Sequence, residues 1–443
     1  MVRAVMFALV LAVSSAFAAD EFDPAVVWAW TGNCSAESAT VCAQLAETAP
    51  VKLVVALTPD LAKPVFESAA VTPSAASIVR VNATGLSPAT AYFYGFSCDG
   101  KPLQMAGRLK TLPPPGKPAT FTITLASCSE TGAAASWKAI RRIDPLFHLC
   151  TGDLHYKDTN ADNPELYLAN YRTALARGEQ GYQNLLWRSL PVAYVWDDHD
   201  YCGNASDKTS VGRKAAHAVY RQVVPHWPLQ WPGAGDPIEQ SFVVGRVRFV
   251  ISDCRTNQSA REGEVLSKPQ LNWLKEQAEA AAKLGQLMVW VSSIPWNGAP
   301  KAGTDRWQSY AAQRTAVADL IKAAGAHVCI LSGDAHMVGI DDGRNCDFAT
   351  GATAEKPVLP IPVFQAAALF RGPSYKGGPY NRGGHPGKDQ FGVMEVQDDG
   401  KAITVHWSAR NGADGVGEQV VVATKDNPGQ PIKYSFTVPL PAK

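Results

Sequence analysis

The stretch LFHLCTGDLHY, residues 146–156, begins as an apolar run and ends in Gly152, Asp153 and Tyr156. Such a run reads as a strand buried in a sheet, and the Gly-Asp after it puts a carboxylate where the chain leaves that sheet. Three other runs share the design: FTITLASC (121–128) ends in Cys128, VAYVWDDHD (192–200) in three aspartates around His199, and HVCILSGDAH (327–336) in Asp334 and His336. In open α/β sheets ligands bind beyond the carboxyl ends of the strands, so four such ends describe one assembled site.

Around these strands the chain alternates with helical stretches at 133–143, 211–223, 268–284 and 306–324 and with strand-like segments at 246–255 and 286–296. In the third helix Leu271, Leu274, Ala278 and Ala281 share one face, Pro269 suits the first turn and Ser267 caps it. The alternation predicts a layered α/β domain over residues 119–443, closed by two antiparallel strands at 391–397 and 402–409. Residues 22–112 differ: short strands broken by Gly, Pro and Asp, with no helical period, predict a small all-β sandwich. PPPGKP (113–118) reads as a stiff linker between the two.

A chain of 443 residues suits two domains, and a net charge of +1 supplies no field for nucleic acid or an anionic membrane. Residues 1–19 combine Arg3, an apolar run and small residues at Ala16 and Ala18, the pattern of a secretory signal peptide too short to span a bilayer. A secreted, periplasmic or extracellular chain without a transmembrane segment is therefore expected. Nine cysteines are an odd number, so in an oxidising compartment at least one stays free, binds a metal or pairs between chains. Cys34 and Cys42 are placed where a bridge between neighbouring strands can form; Cys150 and Cys329, inside apolar runs, read as small buried hydrophobes.

Asp153 and Tyr156, three apart, face one point if the chain turns after its strand. A carboxylate that bridges two cations is the usual hub of a binuclear site, and a phenolate is a hard donor for a high-valent metal such as ferric iron. A lone strand-end Asp is as readily a turn or a helix cap. Asp197, Asp198 and Asp200 around His199 weigh against that reading, because unpaired carboxylates so close repel one another and call for a cation. Asp334 and His336 fall at alternate positions, on one side of an extended chain.

In order, these motifs resemble those of the metallophosphoesterase superfamily, and their departures from its usual pattern resemble the PhoD-type alkaline phosphatase branch: Cys128 in the first, Tyr156 closing the second, Asp197-Asp198-His199-Asp200 as the third and Gly333-Asp334-Ala335-His336 as the last. SDCRTNQ (252–258), LSKPQLNWL (266–274) and DRWQSYAAQR (305–314) resemble further segments of that family, and GLSPATAYFYGFS (85–97) resembles the tyrosine corner of fibronectin type III modules.

The resemblance implies a fibronectin III-like sandwich before an α/β metallophosphoesterase-like domain layered α-β-β-α. It implies iron(III) and calcium as cofactors, with Cys128, Asp153, Tyr156, Asp334 and His336 as the iron set, Asp153 bridging, and Asp197 and Asp198 as further metal ligands. His199 falls where a histidine faces the transferred phosphoryl group, and Arg255 is expected to hold a phosphate oxygen. The activity implied is a secreted, metal-dependent phosphoesterase acting on small phosphate monoesters, diesters or both, by a water that the metals activate, in a monomeric chain without a dedicated nucleic-acid-binding region. Two other readings stay open: a di-iron centre of the purple acid phosphatase type, and an inactive surface-binding module. The Gly-, Pro- and base-rich stretch 371–388 reads either as a loop over the site or as plain surface.

Overall fold

The computed structural model describes residues 22–99, 101, 103–130, 134–175, 187–298, 305–353, 355–424 and 427–439; the expected signal peptide lies outside them. Strands β1 (Val26–Gly32), β2 (Ser38–Leu45), β3 (Lys52–Ala56), β4 (Pro64–Glu67), β5 (Ile78–Thr84), β6 (Ala91–Ser97) and β7 (Met105–Lys110) form the first unit. They make two antiparallel sheets, β1-β2-β5 and β4-β3-β6-β7. Strand alternation sets their faces: Leu53 and Val55 of β3 enter the main core, while Val54 and Ala56 meet Leu61 on the opposite side. Tyr92, buried, accepts the Ser87 N–H at 2.7 Å and pins the corner before β6.

The rest builds on two seven-stranded sheets. The elements are β8 (Phe121–Ala126), α1 (Ala134–Ile143), β9 (Phe147–Cys150), α2 (Pro164–Leu175), β10 (Val192–Tyr194), α3 (Asp198–Tyr201), α4 (Arg213–Val223), β11 (Gln240–Val244), β12 (Val247–Ser252), α5 (Lys268–Lys283), β13 (Leu287–Ser292), α6 (Ala311–Ala324), β14 (His327–Ser332), β15 (Met337–Asp341), β16 (Val363–Ala366), β17 (Gly384–Pro386), β18 (Gln390–Asp398) and β19 (Ala402–Asn411). One sheet runs β10-β9-β8-β18-β19 and is extended by Glu418–Gln419 and Lys433–Pro439; the other runs β11-β12-β13-β14-β16-β15-β17.

Strands β8, β9 and β10 are parallel neighbours, as are β12, β13 and β14. Parallel pairing needs crossovers, which α1, α5 and α6 help to supply. In the second sheet Phe249, Ile251, Val289 and Val291 join the first sheet's Ile123, Leu125 and Leu149 in one core, and Phe147 meets Phe249 edge-on at 5.2 Å. The alternate residues Val250, Met288 and Trp290 pack under Trp273 and Leu274 of α5 and Val317 and Ile321 of α6. Helix α5 starts as its sequence requires: the Ser267 N–H donates to Gln270 Oε1 at 2.9 Å and Pro269 sits in the first turn.

The prolines at 113–115 do not hold two independent bodies apart. Trp30 of β1 packs edge-on against Trp187 at 5.3 Å and donates its indole N–H to Val223 O at 2.8 Å, and the Trp227 indole donates to Cys34 O at 2.9 Å. The sandwich thus shares its core with the larger unit. All nine cysteines are free. The bridge considered between Cys34 and Cys42 does not form, because Cys34 lies beyond the end of β1 with its thiol on Gly32 O at 3.6 Å while Cys42, within β2, faces Arg80 at 3.5 Å.

Candidate metal centre

The parallel strands of both sheets end at one place. Beyond β8 comes Cys128, beyond β9 Asp153 and Tyr156, beyond β10 Asp197 and Asp198, and beyond β14 Asp334 and His336. Cys128, Asp153 and Asp334 all turn through the left-handed region, with φ of 55°, 55° and 61°. L-residues adopt that conformation at a cost of roughly 1–2 kcal/mol each, and such residues cluster where side chains are aimed at a functional point. Gly152 is held for a related reason: a Cβ there would lie 2.4 Å from the Asp197 backbone nitrogen.

The side chains converge. Asp153, Asp197, Asp198 and Asp334 place one carboxylate oxygen each within 4.8 Å of one another, and Asp153, Asp198 and His199 form an overlapping group at the same spacing. Asp153 Oδ2 accepts the Tyr156 hydroxyl at 2.8 Å and the Cys128 thiol at 3.5 Å. Cys128 Sγ also lies 3.6 Å from Asp334 O. Asp153 Oδ1 and Asp197 Oδ2 are buried with no hydrogen-bond partner. The groups at that spacing do not include His336, whose Nδ1–H donates to Gly372 O at 2.7 Å and so leaves Nε2 as the acceptor nitrogen of a neutral ring.

Among the described residues, Arg255 and Lys376 face the four carboxylates. Arg255 is wholly buried: Nε reaches Asp197 Oδ1 at 2.5 Å, Nη1 reaches Asp305 at 3.0 Å, and Nη2 lies 3.7 Å from Asp198. Arg255 Nη2 is buried with no hydrogen-bond partner. Lys376 Nζ contacts both oxygens of Asp334, at 2.9 and 3.1 Å. Ser293 Oγ donates to Asp197 Oδ1 at 2.7 Å. At the mouth, His199 lies over the Tyr156 ring with centroids 4.1 Å apart and bonds Asp158 through Nδ1 at 2.5 Å; Arg371 crosses the same tyrosine at 4.1 Å and pairs with Glu130.

Burial, then the neighbouring carboxylates, pushes the Asp153 carboxyl well above its usual range, and burial with Asp153 and Asp334 does the same to the Cys128 thiol. Burial raises Asp334 to about 8 against the pull of Lys376. Burial also works against Asp198, but Arg255, His199 and the Ala205 N–H outweigh it and hold that group below the ordinary carboxylate range. Asp200, bonded to the His155 and Asp197 amides rather than turned to the cluster, is raised by burial to about 7. Four crowded carboxylates, two orphaned oxygens and, among the described residues, two compensating side-chain cations in Arg255 and Lys376 fit a site that receives metal ions.

The same shifts contribute to the pH dependence of the metal-free protein. Asp200 and Asp334 bind protons more tightly folded than unfolded, so as pH rises from the ordinary 3.8 toward about 7 and about 8 the folded state loses ground. The buried His148, His155, His217, His226 and His336, held near 3 to 4 by burial, act in the opposite sense up to their ordinary 6.5, so calorimetry in chelator should show Tm falling between about pH 6.5 and 8. Metal should flatten the slope, because bound cations replace the protons.

A family model described as "PhoD-like phosphatase" matches residues 121–355. The chain belongs to the PhoD-like phosphatase family. A second model, "PhoD-like phosphatase, N-terminal domain", matches residues 16–113 of this PhoD-like chain. Alkaline phosphatase D of Bacillus subtilis (strain 168) is 27% identical over an alignment of 317 residues that covers 60% of this chain and 54% of that relative, so the match spans about half the relative's length. A solved structure of PhoD superposes with a TM-score of 0.71 at 19% identity, covering 94% of this chain and 90% of the other. A purple acid phosphatase from yellow lupin (Lupinus luteus) seeds gives 0.60 at 12% identity, over 94% of this chain and 74% of that one. At these identities the two structures show a shared fold.

Sequence reasoning missed Lys376, Arg371, Asp158, Ser293 and Asp305. The basic residues of the stretch 371–388 were the signal for the first two. Among the described residues, no helix is long and apolar enough to cross a membrane.

Proposed function

We propose that this PhoD-like chain is an exported, metal-dependent phosphoesterase that releases phosphate from small phosphate monoesters, diesters or both. The observation that carries the reading is Asp153: its carboxylate sits among three other acidic groups and takes both the Cys128 thiol and the Tyr156 phenol on one oxygen. Thiolate and phenolate beside carboxylate and imidazole suit iron(III), while an all-carboxylate neighbour position suits calcium. Cys128, Asp153, Tyr156, Asp334 and His336 would hold the first ion, and Asp153, Asp197 and Asp198 the second. Bound there, the two ions would acidify a water and neutralise charge building on the phosphoryl oxygens.

The chain's own groups do the rest. Asp158 fixes the His199 ring through Nδ1, so that Nε2 is the atom to exchange a proton with the leaving oxygen. Arg255 orients Asp197 and Asp198 from behind. Residues 22–112 are read as a fibronectin III-like sandwich, for which the Tyr92 corner speaks, and 119–443 as an α-β-β-α catalytic domain, for which the two facing sheets speak. We read residues 1–19 as a signal peptide and the chain as a monomer.

Cys128→Ala tests the assignment. It should lose iron, measured by elemental analysis, and at least about a hundredfold of aryl phosphate hydrolysis at alkaline pH with calcium supplied, the scale set by several kcal/mol of lost charge stabilisation. Its circular dichroism should stay native. Full activity in that variant would sink the iron site. The likeness in fold to a purple acid phosphatase favours a second reading, a centre with two transition metals; elemental analysis finding two such metals and no calcium would support it.

A further inference from the structure

The segment after β16 passes over the site and is pinned on both sides of residue 376. The Leu369 and Phe370 amides donate to Ser127 O and Cys128 O at 3.2 and 3.1 Å, those of Ser374 and Gly387 to His336 O at 3.1 and 3.2 Å, and that of Gly378 to Asn297 O at 2.8 Å. The backbone around Lys376 is therefore tied to elements that carry Cys128 and His336, and what freedom remains lies in the lysine side chain. Its ammonium grips both oxygens of Asp334, while a quarter of the side chain, 24%, still faces solvent.

That grip competes with a metal. Asp334 belongs to the four-carboxylate group whose oxygens lie within 4.8 Å of one another, so an ion binding there takes an oxygen that Lys376 now holds and stands a few ångströms from a like charge. The other cations described at the site do not share this position. Arg255 is wholly buried among Asp197, Asp198 and Asp305, and Arg371 is spent on Glu130 and the Tyr156 ring.

We infer that Lys376 keeps the place of a cation on Asp334 in the metal-free chain and, once displaced by metal, turns its ammonium to a non-bridging oxygen of the phosphate ester. The inference rests on the phosphoesterase reading above. It adds a substrate-binding residue, and a proton-neutral exchange in which one positive charge replaces another on Asp334 and no bond is made or broken. An ammonium at the mouth is worth more to a dianionic monoester than to a monoanionic diester, so Lys376 also biases the site toward monoesters.

Lys376→Met keeps the stem and removes the charge; Lys376→Arg keeps the charge. Ferric iron, supplied as its citrate complex to chelator-stripped protein and followed by elemental analysis after desalting, should load Lys376→Met at about tenfold lower concentration than wild type, and Lys376→Arg close to wild type. Inorganic phosphate should bind metal-loaded Lys376→Met about tenfold more weakly, with the monoester-to-diester ratio of kcat/KM reduced. Unchanged ferric iron loading, or unchanged phosphate affinity, in a natively folded Lys376→Met would overturn the inference while leaving the phosphoesterase reading intact. A wild-type chain that binds neither metal nor phosphate would overturn both.

Discussion

Exchanging Arg255 for methionine is expected to destabilise the metal-free protein by about 3–5 kcal/mol, the cost of leaving buried carboxylates without their counter-charge. The guanidinium is wholly buried and serves Asp197 at 2.5 Å, Asp305 at 3.0 Å and Asp198 at 3.7 Å. Methionine fills most of the space of the stem, so the loss measures charge rather than a cavity. Lysine in its place should recover only part, because a single ammonium cannot present a planar fork to three acceptors. Urea unfolding in chelator and again with calcium makes the test specific: added cation should restore part of the lost stability, since it supplies the charge that the arginine gave. A loss under about 1 kcal/mol in chelator would mean that these aspartates do not depend on the arginine for their charge.

That arginine also shows where sequence reading stops. A strand-end Arg in SDCRTNQ does not announce its carboxylate partners, since Asp197 and Asp305 lie 58 and 50 residues away in the chain. Cys128, Asp153, Asp197, Asp198 and Asp334 were legible because each follows an apolar run by a few residues, and parallel strands place their ends together whatever the register. Their left-handed backbone was not legible, for neither Cys nor Asp announces a positive φ as glycine does. Helix α2 was missed although Tyr167, Asn170, Tyr171, Ala174 and Leu175 keep a helical spacing, because the buried stripe is made of tyrosine and asparagine rather than aliphatic residues. The prolines of 113–118 mark a break in pattern, but the Trp30–Trp187 contact that joins the two units spans 157 positions and has no local signal.

The second large effect is expected at Asp153, and it has two signs. Asparagine there should abolish metal uptake and reduce phosphate-ester hydrolysis by about a thousandfold or more, yet raise the stability of the metal-free protein by about 1–3 kcal/mol. The carboxylate has one orphaned oxygen, is surrounded by Asp197, Asp198 and Asp334, and is pushed well above its usual pKa by burial and then by those neighbours. Without metal it is a liability, and removing its charge relieves the others. Asparagine is the informative choice because it tolerates the φ of 55° as aspartate does and keeps an acceptor for the Tyr156 hydroxyl, so backbone and packing are preserved. Thermal unfolding in chelator should place Asp153→Asn above wild type at pH 7, and metal addition should reverse the order, since only the wild type gains from binding. An Asp153→Asn protein less stable than wild type in chelator would contradict the electrostatic account. The trade is the one expected where a fold holds unfavourable charge in place for an ion to neutralise.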